Sequence, residues 1–97
     1  MVNKEITMDG LKNIMEDVVE EHIKKILPTM PNVCTCKKCQ LDIATYALNR
    51  LPAEYVRTDT GALYQKLNNH LPQAEATILT EITKAIEIIA ANPNHNT

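Results

Sequence analysis

The amino-acid sequence predicts an all-α fold, a small bundle of about four helices. Apolar residues recur in steps of three and four along two long stretches, as they do in helices that bury one face. The apolar complement is Ile, Leu, Val, Ala and Met, with no Trp, no Phe and three Tyr, the usual filling of a helix bundle. Only two glycines are present, and no alternating Val/Ile/Thr/Tyr run is bounded by turns, so strands are poorly supported. The 97 residues fit one domain, read as residues 9–97 behind a short lead-in at 1–8. A core this small often takes extra stability from a metal, a disulfide or a partner subunit.

The first helix is predicted over 9–27, on the stripe Leu11, Ile14, Met15, Val18, Val19, His22, Ile23, Ile26 and Leu27. Glu16, Asp17, Glu20 and Glu21 fall largely off that stripe. Lys24 and Lys25 sit near the C-terminus, where cations suit the helix dipole, and Pro28 and Pro31 stop it. An irregular segment from Thr29 to Lys38 carries the cysteines. The second helix runs from Lys38 or Cys39 to Leu51, with Leu41, Ala44, Ala47, Leu48 and Leu51 inward and Pro52 as its stop. After a connector over 53–60, Thr60 caps a short third helix reaching Asn69, with Leu63 and Leu67 on one side. Pro72 suits the first turn of the last helix, whose stripe is Ile78, Leu79, Ile82, Ala85, Ile86, Ile89 and Ala90. The first and last helices are the long ones and should form the walls of the core.

A formal charge of -2 and a pI near 5.9 argue against a general electrostatic footprint for a nucleic acid polymer. They leave room for a small anionic ligand held by a few local cations. No apolar run approaches the ~20 residues of a membrane span, and residues 1–10 do not read as a signal peptide. The expectation is a soluble, cytoplasmic protein with no membrane partner.

Three cysteines crowd into Cys34-Thr35-Cys36-Lys37-Lys38-Cys39. An odd number so close together is not a disulfide framework, and in a reducing compartment it points to metal or thiol chemistry. Zinc prefers thiolate and imidazole in tetrahedral geometry, and Cys36-x2-Cys39 offers two sulfurs from a tight turn with Cys34 as a third. A second C-x2-C pair, the usual companion, is missing. The fourth ligand is open on the residues alone. His22 shares an apolar face, where a histidine usually packs; His70 sits at a helix end; His95 follows the Asn92-Pro93 stop; a water or a second subunit would also serve. The rival reading is redox, because lysines and a helix N-terminus lower a thiol pKa. Thioredoxin-like chemistry, however, needs a strand before the motif. A hydrolytic zinc enzyme fits least: thiolate-rich ligands favour a closed structural site, and no phosphate loop, Ser/His/Asp set or His-Glu-x-x-His motif is present.

Residues 46–57 gather two of the three tyrosines, Tyr46 and Tyr55, with the only two arginines, Arg50 and Arg57. Arg forks pair with phosphate, and Tyr rings stack on bases. A helix end with packed tyrosines and solvated arginines explains the same residues without a ligand.

From about Leu11 to His95 the sequence resembles the late competence development protein ComFB family. The likeness rests on Asn13-Ile14-Met15-Glu16, on Cys34-x-Cys36-x2-Cys39 followed by Leu41-Asp42-Ile43-Ala44, on Tyr46-Ala47-Leu48-Asn49-Arg50-Leu51-Pro52-x2-Tyr55-Val56, and on Asn92-Pro93-x-His95. The resemblance implies an all-helical homodimer without known enzymatic activity. It also implies zinc on Cys34, Cys36 and Cys39, with His95 as fourth ligand, and a receptor role for cyclic di-GMP or cyclic di-AMP linked to competence or motility. Residue chemistry and motif position then make Arg50 the first candidate for phosphate pairing and Arg57 the second. Tyr46 and Tyr55 are candidates for stacking, and Asn49 for a hydrogen bond. Such a ligand has two-fold symmetry and would suit a two-fold dimer cleft. Two alternatives stand beside this reading. One is a zinc-stapled adaptor for a protein partner, using the acidic face of the first helix, although such faces are more often simply solvated. The other is a thiol-based redox sensor.

Overall fold

The structure, a computed structural model, describes residues 8–91. Four α-helices form the body: α1 (Ile14–Ile26), α2 (Lys37–Leu48), α3 (Asp59–Asn69) and α4 (Pro72–Ala91). Two two-residue strands, β1 (Lys12–Asn13) and β2 (Tyr55–Val56), pair antiparallel, with Lys12 opposite Val56 and Asn13 opposite Tyr55. The core is one cluster. Ile14, Met15, Val18, Val19 and Ile23 of α1 meet Ile43 and Ala47 of α2 and Ile78, Ile82, Ala85 and Ile86 of α4, closed by Leu27 and Leu51. At about 1.5–3 kcal/mol for each large side chain taken from water, this cluster is the main source of stability. The most extensive packing is α2 on α4, while α3 lies at the edge. Among the described residues no helix is long and apolar enough to cross a membrane.

The first helix begins at Ile14 and not at Asp9. Before it, Gly10 takes φ +92°, the left-handed region that glycine enters most cheaply, and the Leu11 N–H donates to the Met8 carbonyl at 3.1 Å. Asn13 then stays extended as the N-cap, and its Oδ1 accepts from the Met15 N–H at 3.1 Å. The same Oδ1 accepts from the Glu54 N–H at 2.8 Å, and the Ile14 N–H donates to the Glu54 carbonyl at 2.8 Å. Asn13 thus joins the start of α1 to the segment before β2. Strands of two residues carry no alternation to read, so the sequence gives no sign of this pairing.

Beyond Ile26 a single 3-10 turn (Leu27–Thr29) uses Pro28, and Pro31–Asn32 reverse the chain with Asn32 at φ +69°. Helix α2 stops at Leu48, three residues before the predicted end: the N–H groups of Arg50 and Leu51 both donate to the Ala47 carbonyl at 3.0 Å, and Leu51 folds back into the core. Its inward row is Cys39, Ile43 and Ala47, whereas Leu41 is exposed. Thr58, and not Thr60, caps α3, its Oγ1 accepting from the Gly61 N–H at 3.0 Å. A Cβ on Gly61 would lie 3.2 Å from that oxygen, so the glycine leaves room for the cap. Leu63 and Leu67, on one side of the helix as expected, are exposed together with Tyr64 and Leu71. The residue that α3 buries is Asn69, whose Nδ2 donates to Glu54 Oε1 at 2.8 Å. Helix α4 starts at Pro72 as predicted.

Candidate metal centre and the two arginines

The three cysteines are brought together by the capping of α2. Cys36 is its N-cap, with an extended backbone, and its Sγ accepts from the Cys39 N–H at 3.4 Å. Cys39, in the first turn, faces the core and is buried, while Cys34 and Cys36 are exposed. Gln40 fastens the loop from the helix side, its Nε2 donating to the Thr35 carbonyl at 2.6 Å and its N–H to the Cys36 carbonyl at 3.0 Å. All three sulfurs lie within 4.8 Å of one another. Four-coordinate zinc with ~2.3 Å Zn–S bonds needs sulfurs just under ~4 Å apart, so the triad can hold a metal ion after sub-ångström adjustment.

Without metal the thiols divide their protons unevenly. The Cys39 N–H, then the Cys34 thiol, stabilises the Cys36 thiolate and lowers its pKa from the ordinary 9.0. Burial, followed by hydrogen bonding to Cys36 and Cys34, pushes Cys39 up to about 12. One sulfur is therefore disposed to be anionic and another to keep its proton. His95 lies outside the described residues.

At the other end of α2, Arg50 lies over Tyr46, its Cζ 3.6 Å from the ring centroid, and its Nη1 donates to the Tyr46 carbonyl at 3.2 Å. Tyr46 is half-buried against the core, and Asn49, the C-cap, is exposed. Tyr46, Asn49 and Arg50 thus form one group at the helix end. Tyr55 and Arg57 stand elsewhere, carried by the β2 pairing. Tyr55 lines an apolar depression with Met8 and Leu11. Arg57 lines a cavity of about 280 Å³ beside the start of α3, together with Lys12, Asp17, Thr58, Asp59 and Lys66 among others.

A model of the family described as late competence development protein ComFB matches residues 12–93, most of the chain. The chain belongs to the ComFB family. Among solved structures it is similar to the late competence protein ComFB from Bacillus subtilis, with a TM-score of 0.79 and 23% identity over 89% of this chain and 94% of that one. That identity carries the ComFB fold alone. A search of the curated proteins by sequence finds no match. The ComFB match spans the cysteine triad, both arginines, Tyr46 and Tyr55, and stops short of His95.

Two basic residues in the Arg57 cavity escaped the sequence reading, Lys12 and Lys66. Lys12 Nζ is 2.8 Å from Asp17 Oδ2, and Lys66 Nζ is 4.0 Å from the same oxygen. The hydrogen bond to Asp17 holds the Lys12 ammonium above the usual lysine range. Three cations thus face two carboxylates around this cavity of the ComFB fold. Lys12 lies 45 residues before Arg57, and only the β1–β2 register brings them together.

Proposed function

We propose that this chain is a zinc-stabilised regulatory binding protein that receives a cyclic dinucleotide, acting as a homodimer in competence or motility. The observation that supports the reading is the cavity beside the start of α3 that Arg57, Lys12 and Lys66 line together with Asp17 and Asp59. A phosphate there would meet an Arg fork and two ammonium groups near the positive end of a helix dipole, opposed by the Asp59 carboxylate in the first turn of α3. Asp17, which already serves both lysines, is the group a phosphate has to displace. Tyr46 and Arg50 form a second, stacked surface for a base, with Asn49 beside them as a hydrogen-bonding group. A dimer supports two copies of each, as a two-fold ligand requires. Exposed Leu63, Tyr64, Leu67 and Leu71 support an apolar contact between subunits.

Zinc fits the triad as a structural ion. It would fasten the loop after α1 to the first turn of α2, with His95 as the fourth ligand that the family resemblance implies. The test is calorimetric titration of the zinc-loaded protein with cyclic di-GMP and cyclic di-AMP, with GTP and ATP as controls. Saturable binding of a cyclic dinucleotide alone, weakened in Arg57→Ala and Arg50→Ala, is expected. Silence at high micromolar ligand sinks the receptor reading.

A second reading, an adaptor for a protein partner, is favoured by the groove between α1 and α2. It is lined by apolar Ile23, Leu41, Ala44 and Leu48 and by Glu16, Asp17 and Glu20, three carboxylates against the single cation Lys24. Those features suit a basic amphipathic helix.

A further inference from the structure

Asp17 belongs to two sites at once. Its Oδ2 holds Lys12 at 2.8 Å and Lys66 at 4.0 Å, within the cavity that Arg57 also lines. The same residue lines the groove between α1 and α2, to which α1 adds Glu16 and Glu20 and α2 adds Leu41, Ala44 and Leu48. Lys24, the one cation lining that groove, is held by Glu20 at 3.3 Å. Glu16 enters no ion pair among the described residues. Leu41, 57% exposed, leaves apolar surface open on the α2 side. Ile23, Lys24 and Gln40 also line the next depression, which continues the groove to Leu27 and Thr35. From Glu16 to Leu27 the α1 side runs roughly 16 Å at ~1.5 Å per residue, room for about three turns of a helix.

We propose that the groove takes a cationic amphipathic helix of a protein partner, and that Asp17 couples this docking to anion binding in the Arg57 cavity. The inference rests on both readings above and joins them. Before an anion binds, the Asp17 charge is neutralised by Lys12 and Lys66. A phosphate that pairs with those ammonium groups takes the place of Asp17 and repels it. The displaced carboxylate, 30% exposed and next to Glu16 in the chain, is then open to the groove. Two unpaired carboxylates, instead of one, meet the cations of the partner. Leu41, Ala44 and Leu48, spaced i, i+3 and i+7 along α2, supply the apolar contact that stays constant. The carboxylates supply the part that changes. Such coupling is reciprocal, so the docked partner tightens anion binding by the same factor.

The probe is a labelled synthetic helix of about three turns, with Leu on one face flanked by Lys and Arg. It is titrated by fluorescence anisotropy against the zinc-loaded full chain at fixed ionic strength. Saturable binding is expected, and Leu41→Asp, a change at an exposed position, should abolish it. Lys12→Met with Lys66→Met releases Asp17 without any ligand and should tighten the peptide about threefold, the scale of an exposed ion pair. In an Asp17→Asn background the same two changes should have a smaller effect, and that non-additivity is the signature of the coupling. Saturating cyclic di-GMP or cyclic di-AMP should tighten the peptide in the parent and not in Asp17→Asn. No saturable peptide binding, or a dimer that Leu41→Asp turns into a monomer, overturns the docking surface and the inference with it. Additive substitutions, or a bound dinucleotide that leaves the peptide affinity unchanged, overturn the coupling alone. Lysine changes that act through Asp17 while no cyclic dinucleotide binds uphold the Asp17 link and sink the receptor reading instead.

Discussion

The two ends of α2 make an instructive pair. At the amino end, three sulfurs within six residues are gathered by one helix cap, and the geometry needs little beyond Cys36 and the first turn. At the carboxyl end, Tyr46 and Arg50 stack across one turn, but Arg57 and Tyr55 are delivered by a strand pair to other parts of the surface. The first end is chemistry encoded locally; the second is assembled by tertiary structure. A lesion in the tertiary framework should therefore spare one and damage the other.

The largest expected effect comes from the amino end. Chelating the metal, or replacing buried Cys39 by Ala, should remove near-stoichiometric zinc. It should lower unfolding stability by at least about 4 kcal/mol, the linkage expected when a ligand is present a thousandfold above its Kd. Metal analysis of protein purified without added zinc, followed by thermal melts with and without chelator, measures both. Folded, metal-free protein with an unchanged melting temperature breaks the structural assignment.

Next comes the joint that holds the other end. Asn13→Ala removes a helix cap and leaves the Glu54 N–H without its acceptor, at a combined cost of about 2 kcal/mol. Zinc stoichiometry should survive while cyclic dinucleotide binding falls, because Arg57 and Lys12 lose their mutual register. Equal loss at both ends would show that the division between them is wrong.

The amino end should also respond to pH. Metal must strip the Cys39 proton, held up to about 12, so zinc affinity should rise about tenfold per pH unit for each proton released, about 1.4 kcal/mol. The sign is fixed: acid returns protons to the sulfurs and weakens the site. A competition titration with a chromophoric chelator at several pH values reads the slope. The smallest effect is Tyr46→Leu, which removes the ring beneath Arg50 and should cost about 0.5–1 kcal/mol in urea unfolding.

Legibility in the sequence follows the same division. Helix α4 is readable from Pro72 onward, because the predicted positions Ile78, Ile82, Ala85 and Ile86 are the buried ones. The cysteine triad is readable because its spacing alone places the sulfurs close. In α2 the apolar residues crowd two adjacent rows, and the row that turns inward starts at Cys39 and runs through Ile43. Leu41 looked equally suited and points to solvent. In α3 the inward position is Asn69, which is affordable only because Glu54, fifteen residues away, receives its amide. No local pattern announces a partner at that separation. The start of α1 escapes a local pattern for the same kind of reason, since Asn13 answers to Glu54 as well as to its own helix.

The two bonds that meet on Asn13 Oδ1 also set a rule for how the molecule breathes. One oxygen accepts the amide protons of Met15 and Glu54 together, so a swing of that side chain releases the first turn of α1 and the approach to β2 in one event. In hydrogen–deuterium exchange these two amides, 39 positions apart in the chain, should open as one cooperative unit. An anion drawing Lys12 and Arg57 together would slow them both.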